Sequence, residues 1–406
     1  MDKKKIFLVI GFIVLVLGLG LALYWVFFKP TIPITPTDNF NAGNLPGIGN
    51  GNIPIVNENI NAPDQGLPWQ QYIKDKVSDV ASGGLTKVSE VSENEVRGLT
   101  SSPGGLQYYD DNEQKFYRIT DSGTVEELSS QLFYQVEDVT WAGSGDKAIL
   151  EYPDGSNILY NFKNGQQVTL PKELEDFSFD ASDSQIAAKW MGSSEEDNWV
   201  VASNDDGSGM YLIQPLGDQA HNTFVSFSPD NQVAVMHRKY VDAQRQEVYP
   251  IGLHGETFKA FTVAGAGFEY DWSPEGNSLV YSVYNETSNY NPNLWVTNGS
   301  SSELGDIKVS LNISTWPDKC AFVGEDIMYC AVPQGLPRGA GLYPEIADRY
   351  PDNFYYINLN SGSKNLIASP VGESGSYTAH NLFVSNDQST LYFTDQNGNL
   401  QSIKLK

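Results

Sequence analysis

Phe268-Glu269-Tyr270-Asp271-Trp272-Ser273-Pro274-Glu275-Gly276-Asn277 is the stretch that decides the fold. An alternating apolar run enters a turn, and Leu279-Val280-Tyr281-Ser282-Val283-Tyr284 leaves it, followed by Asn293-Leu294-Trp295-Val296-Thr297. β-Branched and aromatic residues in short runs suit strands. Ser-Pro-Glu-Gly suits a tight turn, because proline presets φ and glycine accepts φ > 0. The pattern recurs. A second clear copy is Phe224-Val225-Ser226-Phe227-Ser228-Pro229-Asp230-Asn231, and weaker copies turn at 101–105, 143–146, 181–184, 324–326 and 386–389. These seven turns are mostly 38 to 48 residues apart, with a longer last interval that carries an insertion. A four-stranded unit of about 40 residues cannot bury both faces alone, and radial stacking of such units is the β-propeller. The expected fold is therefore an all-β propeller over residues 83–406, with seven blades favoured over six or eight. The final strand, Leu400 to Leu405, lacks a partner after it. An early strand, Leu85 to Glu90, is expected to close that last blade.

The run Asp271-Trp272-Ser273-Pro274-Glu275-Gly276, a strand, and then Asn293-Leu294-Trp295 resembles the WD40-like repeat of TolB-type bacterial propellers, over about residues 85 to 406. Blade two, Thr140-Trp141-Ala142-Gly143-Ser144-Gly145-Asp146, departs from the motif. The resemblance implies a fold and no particular activity. As a whole the chain is similar to bacterial proteins that carry a lone propeller on a membrane anchor.

The anchor is read from Ile6 to Phe28, 23 residues without a charge. As a helix that run is about 34 Å long, enough for a hydrocarbon layer of roughly 30 Å. Lys3, Lys4 and Lys5 precede it and Tyr24 and Trp25 sit near its far end. That order predicts a cytoplasmic stub at 1–5 and an exported head, periplasmic or at the cell surface. Residues 29–68 hold seven Pro, eight Asn and five Gly, the composition of a disordered spacer. Trp69, Tyr72, Ile73, Val77 and Val80 fall at helical spacing and predict a short amphipathic helix over 69–82.

The whole chain of 406 residues has 25 Lys and Arg against 50 Asp and Glu, a formal charge of −25. Such a balance argues against nucleic acid as a partner, since phosphate binding needs a basic footprint. The partners expected are the cell membrane, through the N-terminal helix, and an envelope protein or anionic polymer. Two Cys and four His are too few for a zinc framework. Cys320 and Cys330 flank the turn at 324–326; pairing 322 with 328 sets them opposite each other at about 4.5 to 5.5 Å, within disulfide range. Free core thiols are the alternative.

No catalytic motif emerges. Gly372-Glu373-Ser374-Gly375-Ser376 fails the nucleophile-elbow pattern at its last position, and His221, His237, His254 and His380 are scattered. No metal site and no cofactor is expected. The site that does emerge lies in the connections between second and third strands, which share one propeller face and are long in blades three to six, at 191–198, 239–246, 285–292 and 333–352. Only six Arg occur in the chain, and Arg238, Arg245, Arg338 and Arg349 fall in or beside these connections. Trp190, Tyr240, Tyr284, Tyr290, Tyr343 and Tyr350 accompany them. Arg and aromatic residues anchor interfaces, and Arg grips carboxylate or phosphate with two parallel bonds. The competing explanation is that these Arg offset nearby acids, Glu195, Glu196, Asp348 and Asp352. The expectation is a ligand-binding module. Alternatives are a glycan lyase or hydrolase working in the propeller funnel, and a structural cap in a larger envelope assembly.

Overall fold

The deciding stretch forms the first two strands of a four-stranded antiparallel meander: Ala266–Trp272, Ser278–Tyr284, Asn293–Asn298 and Lys308–Ser310. Its register pairs Trp272 with Leu279, Tyr281 with Trp295 and Trp295 with Ser310. The turn between the first two strands closes by a bond from Gly276 N to Ser273 O (2.9 Å), with Gly276 at φ +76°. A side chain there would strain the backbone, which explains the glycine.

The computed structural model describes residues 76–406 except 243, 373 and 374, together with the single position Leu19. The stub at 1–5, the membrane span at 6–28 and the spacer at 29–68 lie outside the described residues apart from that position. Among the described residues no helix is long and apolar enough to cross a membrane.

The described residues form six hydrogen-bonded sheets. Four are single four-stranded blades, and a fifth is a blade enlarged by two extra strands. The sixth, of seven strands, joins two further meanders through one long strand, Ser89–Ser102. The beginning of that strand pairs with Asn399–Lys404, and its end pairs with Gly105–Asp110. It is therefore the outer strand of the last blade and the inner strand of the first. All seven turns read from the sequence lie between the first and second strands of a meander.

Seven hydrophobic clusters hold the blades together, each built mainly from two neighbours. Phe268, Leu279 and Tyr281 pack on Val233, Met236 and Val248 of the blade before. Val280 and Leu294 pack on Cys320, Met328 and Cys330 of the blade after. The last cluster sets Val96, Leu106, Tyr108 and Ile119 of the first blade against Tyr392 and Leu400 of the last, so the ring closes. Polar stitches run along the turn face as well. Asp183 accepts backbone N–H bonds from Gly143 (2.8 Å) and Ser144 (3.0 Å) of the preceding blade. Asn231 accepts one from Ala181 (2.8 Å), and Glu325 accepts from Ser273 Oγ (2.8 Å) and Glu275 N. The turn acids thus cap a neighbour's turn, at a rim where backbone donors would otherwise go unpaired.

Two sequence expectations need correction. Closure uses residues 89–95, whereas Leu85 belongs to a separate strand, Gly84–Lys87, that adds in parallel to Ser363–Gly372 of the sixth blade. Residues 76–82, the second half of the expected helix at 69–82, are not helical. They run beside the sheets through bridges Ser78–Thr86 and Val80–Lys404, since sheet edges there offer the backbone better partners than one isolated turn would. The first half, 69–75, lies outside the described residues.

Cys320 and Cys330 stand in register on adjacent strands and are joined, with S–S 2.09 Å and Cα atoms 4.1 Å apart. Phe322 pairs with Met328 as expected, while Gly324 rather than Val323 pairs with Ile327 across a small irregularity.

Candidate functional site

Connections between second and third strands differ sharply from blade to blade. Blade four has no long loop over 239–246. Val235–Asp242 and Arg245–Ile251 pair from Val235–Ile251 out to Asp242–Arg245, with one irregularity after Tyr240, so the stretch is a hairpin. Its alternating residues keep strand geometry until Asp242, where the side chain accepts from Gln244 N (2.9 Å) and turns the chain.

Blades five and six do have long loops, 285–292 and 334–351, and these are bonded into one platform. Gly339 N donates to Asn289 O (2.9 Å) and Gly341 N to Tyr290 O (2.8 Å). Ala340 N donates to Asn291 Oδ1 (3.1 Å). Asn289 and Tyr290 both take left-handed φ of +56°, which turns their carbonyls toward the longer loop. Gly341 fits because the Tyr284 ring lies against it: an added Cβ would sit 2.6 Å from that ring. The longer loop has a small core of its own, Trp316, Ala340 and Ala347 with Leu336. Its neck is tied by Gln334 N to Pro351 O (2.9 Å). Its far end is held by Thr378 Oγ1 donating to Tyr350 O (3.0 Å) and by His380 Nε2 against Asp348 Oδ1 (3.1 Å). Beneath the neck, Lys319 Nζ meets Asp352 Oδ2 at 2.8 Å, with both side chains almost fully buried. Burial pushes the Asp352 carboxyl upward, and Lys319 pulls it back.

The candidate residues fall into two groups. Arg338, Tyr343 and Arg349 are exposed on the platform, and Arg338 lies over the Tyr290 ring at 5.5 Å. Neither of these Arg forms an ion pair among the described residues. Tyr284, Tyr290 and Tyr350 are half-buried in the same platform. Tyr240 is exposed on the blade-four hairpin, close enough to Tyr284 to act on it electrostatically. The other two Arg are engaged. Arg238 donates to Phe268 O of the next blade (3.0 Å) and lies over the Phe224 ring at 5.0 Å. Arg245 is bonded to Asp242 through two nitrogens (2.9 and 2.7 Å). Trp190 stands apart, in a groove on blade three.

Sequence reasoning missed a second feature, the acids on the innermost strands. First strands of several neighbouring blades touch one another. On one of them Phe268 and Trp272 are buried, while Glu269 and Asp271 alternate with them. Glu269 is pushed up to about 7, chiefly by burial and further by Asp318, with Arg238 pulling it back. Asp271 reaches solvent but has protein crowded around it; this desolvation and Asp318 push it up to about 6, against a bond from Trp272 N. Asp318 is itself raised by burial. On the second strand of blade two, burial and neighbouring acids push Glu151 up to about 7. The signal was the acid at every second position of an inner strand. Carboxyls that hold protons near neutrality can serve as general acids. Among the described residues no group of three or more His, Cys, Asp or Glu is arranged to hold a metal ion.

No protein-family model matches the chain, and no curated protein matches it in sequence. Solved structures do match in fold. An oligogalacturonate lyase in complex with manganese aligns with TM-score 0.52 at 11% identity, over 80% of this chain and 99% of that one. The oligogalacturonate lyase of Vibrio parahaemolyticus aligns with TM-score 0.51 at 8% identity, over 79% and 93%. The β-propeller domain of Cps50 (Swd1) from Myceliophteria thermophila gives 0.52 at 10%, over 79% and 100%. At such identities the likeness is one of fold: this chain is a β-propeller.

Proposed function

We propose that the chain is a TolB-like propeller, tethered to a membrane by residues 6–28, that binds an envelope protein or anionic polymer outside the cell. One observation carries the binding role: the loops of blades five and six are hydrogen-bonded into one platform bearing Arg338 and Arg349, which have no ion-pair partner among the described residues. The exposed Leu342 and Tyr343 add apolar area beside them. A preorganised surface of this kind loses little entropy on binding. The test is crosslinking on intact cells with mass-spectrometric identification of neighbours, comparing the native chain with Arg338→Ala/Arg349→Ala. Loss of one specific neighbour in the variant is expected, and an unchanged set would sink the assignment.

The raised carboxyls favour a second reading, a glycan-active enzyme using the funnel. Glu269 would be its proton donor. Incubation with acidic and neutral oligosaccharides, native against Glu269→Gln, decides it; cleavage lost in the variant is the expected result.

A further inference from the structure

Blade three carries a groove that the loop platform does not use. Its volume is about 630 Å³, and its lining includes Trp190, Trp199, Tyr211, Met210, Glu173 and Asp197. Trp190 and Trp199 are direct partners across two strands, so both rings stand on one face of the sheet. They are half-buried against the cluster shared by blades two and three, which fixes them. Tyr211, on the outer strand, has a hydroxyl that is buried without a hydrogen-bond partner.

The loop 191–198 is equally fixed. Gly192 N donates to Asn198 Oδ1 (3.0 Å), and Asn198 Nδ2 reaches Gly217 O (3.2 Å). Ser194 Oγ donates to Asp197 Oδ2 (2.8 Å). Gly192 packs so closely on Asp197 that an added Cβ would lie 2.3 Å from the Asp197 Cβ. Glu195 and Glu196 add negative charge to the same loop, whose short helix has no basic residue in its last turn. No Lys or Arg is among the lining residues, and Lys189 nearby is taken up by Asp176.

We propose that this groove binds an organic cation, a quaternary or alkyl ammonium group, between the Trp190 and Trp199 rings and the carboxylates of Asp197 and Glu173. Electron-rich ring faces and a carboxylate complement such a group, since both attract diffuse positive charge that is cheap to desolvate. An anionic sugar or phosphate meets like charge here. The groove is separate from the Arg platform, and the inference does not rest on that reading.

Calorimetric titration of the full chain provides the test. Choline and Nε-trimethyl-lysine distinguish a headgroup from a side-chain source, and 3,3-dimethylbutanol supplies choline's shape without its charge. At least one cation is expected to bind tenfold or more tighter than the neutral isostere. Asp197→Asn, an exposed substitution that keeps the bond to Ser194, is expected to weaken the cation about fivefold. Gly192→Ala, which displaces Asp197, should act in the same direction. Equal binding of the isostere, binding of maltotriose or chitotriose in preference to the cations, or no binding at all each overturns the proposal.

Discussion

The hairpin of blade four and the long loop of blade six each carry two arginines and use them in opposite ways. On the hairpin both are engaged. Arg238 sits on a strand, where it finds Phe268 O of the next blade and the Phe224 ring of its own. Arg245 lies across a tight turn from Asp242 and closes on it. On the loop, two of the three acids are claimed elsewhere, Asp348 by His380 and Asp352 by Lys319. Arg338 and Arg349 form no ion pair among the described residues, and Arg338 lies over the Tyr290 ring instead. A count of charges along the sequence cannot tell these cases apart. What separates them is whether the backbone holds a partner within reach, a carbonyl and a ring for Arg238 and a carboxylate for Arg245.

The strongest way to break the comparison is to remove an anchor. Lys319→Met leaves Asp352 buried without a counter-ion and should cost about 3–5 kcal/mol. Denaturant unfolding measures it, and Lys319→Met/Asp352→Asn should recover much of the loss. Replacing both Cys320 and Cys330 by Ala opens a link of 10 residues' separation at the base of the same blade. A cost of about 2–3 kcal/mol is expected, with the native chain falling to the same level on reduction.

Arg238 has a further role in holding Glu269. The folded protein keeps the Glu269 proton up to about pH 7, whereas the unfolded chain releases it near the ordinary value. Between those limits the unfolded state binds fewer protons, so stability falls as pH rises from about 4.5 to 7. Glu269→Gln should remove that slope and stabilise the chain by about 2 kcal/mol at pH 8, after allowance for partial solvent screening. Melting temperatures across pH test the sign. Arg238→Ala loses a bond, a ring contact and the partial compensation of Glu269, for about 1–2 kcal/mol. At the small end, Arg245→Ala should leave stability almost unchanged, and Arg338→Ala should change it by less than about 0.5 kcal/mol. A larger loss for Arg338→Ala would mean that the loop needs this residue to fold.

The propeller was legible because its signals are local. Each Ser-Pro-Asp or related turn joins first to second strand, and the facing positions of Cys320 and Cys330 follow from pairing about one short turn. The N-terminal route was not legible, since Leu85 and Ser89 read alike as strand and only the sheet edges decide which blade takes which. The turn residues Asp183, Asn231 and Glu325 serve the preceding blade, about 40 to 50 residues away in sequence, a role that no local pattern reveals. Tyr290, Arg338 and Tyr343 of the candidate set share one platform because the long loops of blades five and six are bonded together. Arg238, read as lying beside a loop, stands on a strand. The inner acids went unnoticed because their meaning depends on ring closure.

That closure sets a timetable. Ser402 Oγ donates to Ser89 O (3.2 Å) within one blade, across 313 residues of sequence. A ribosome adding about 5–20 residues per second needs roughly 15–60 s to travel from one to the other. Throughout that interval the strand Ser89–Ser102 waits with one edge unfilled. Whatever keeps other chains off that edge during those seconds matters as much to the yield of closed rings as any contact inside them.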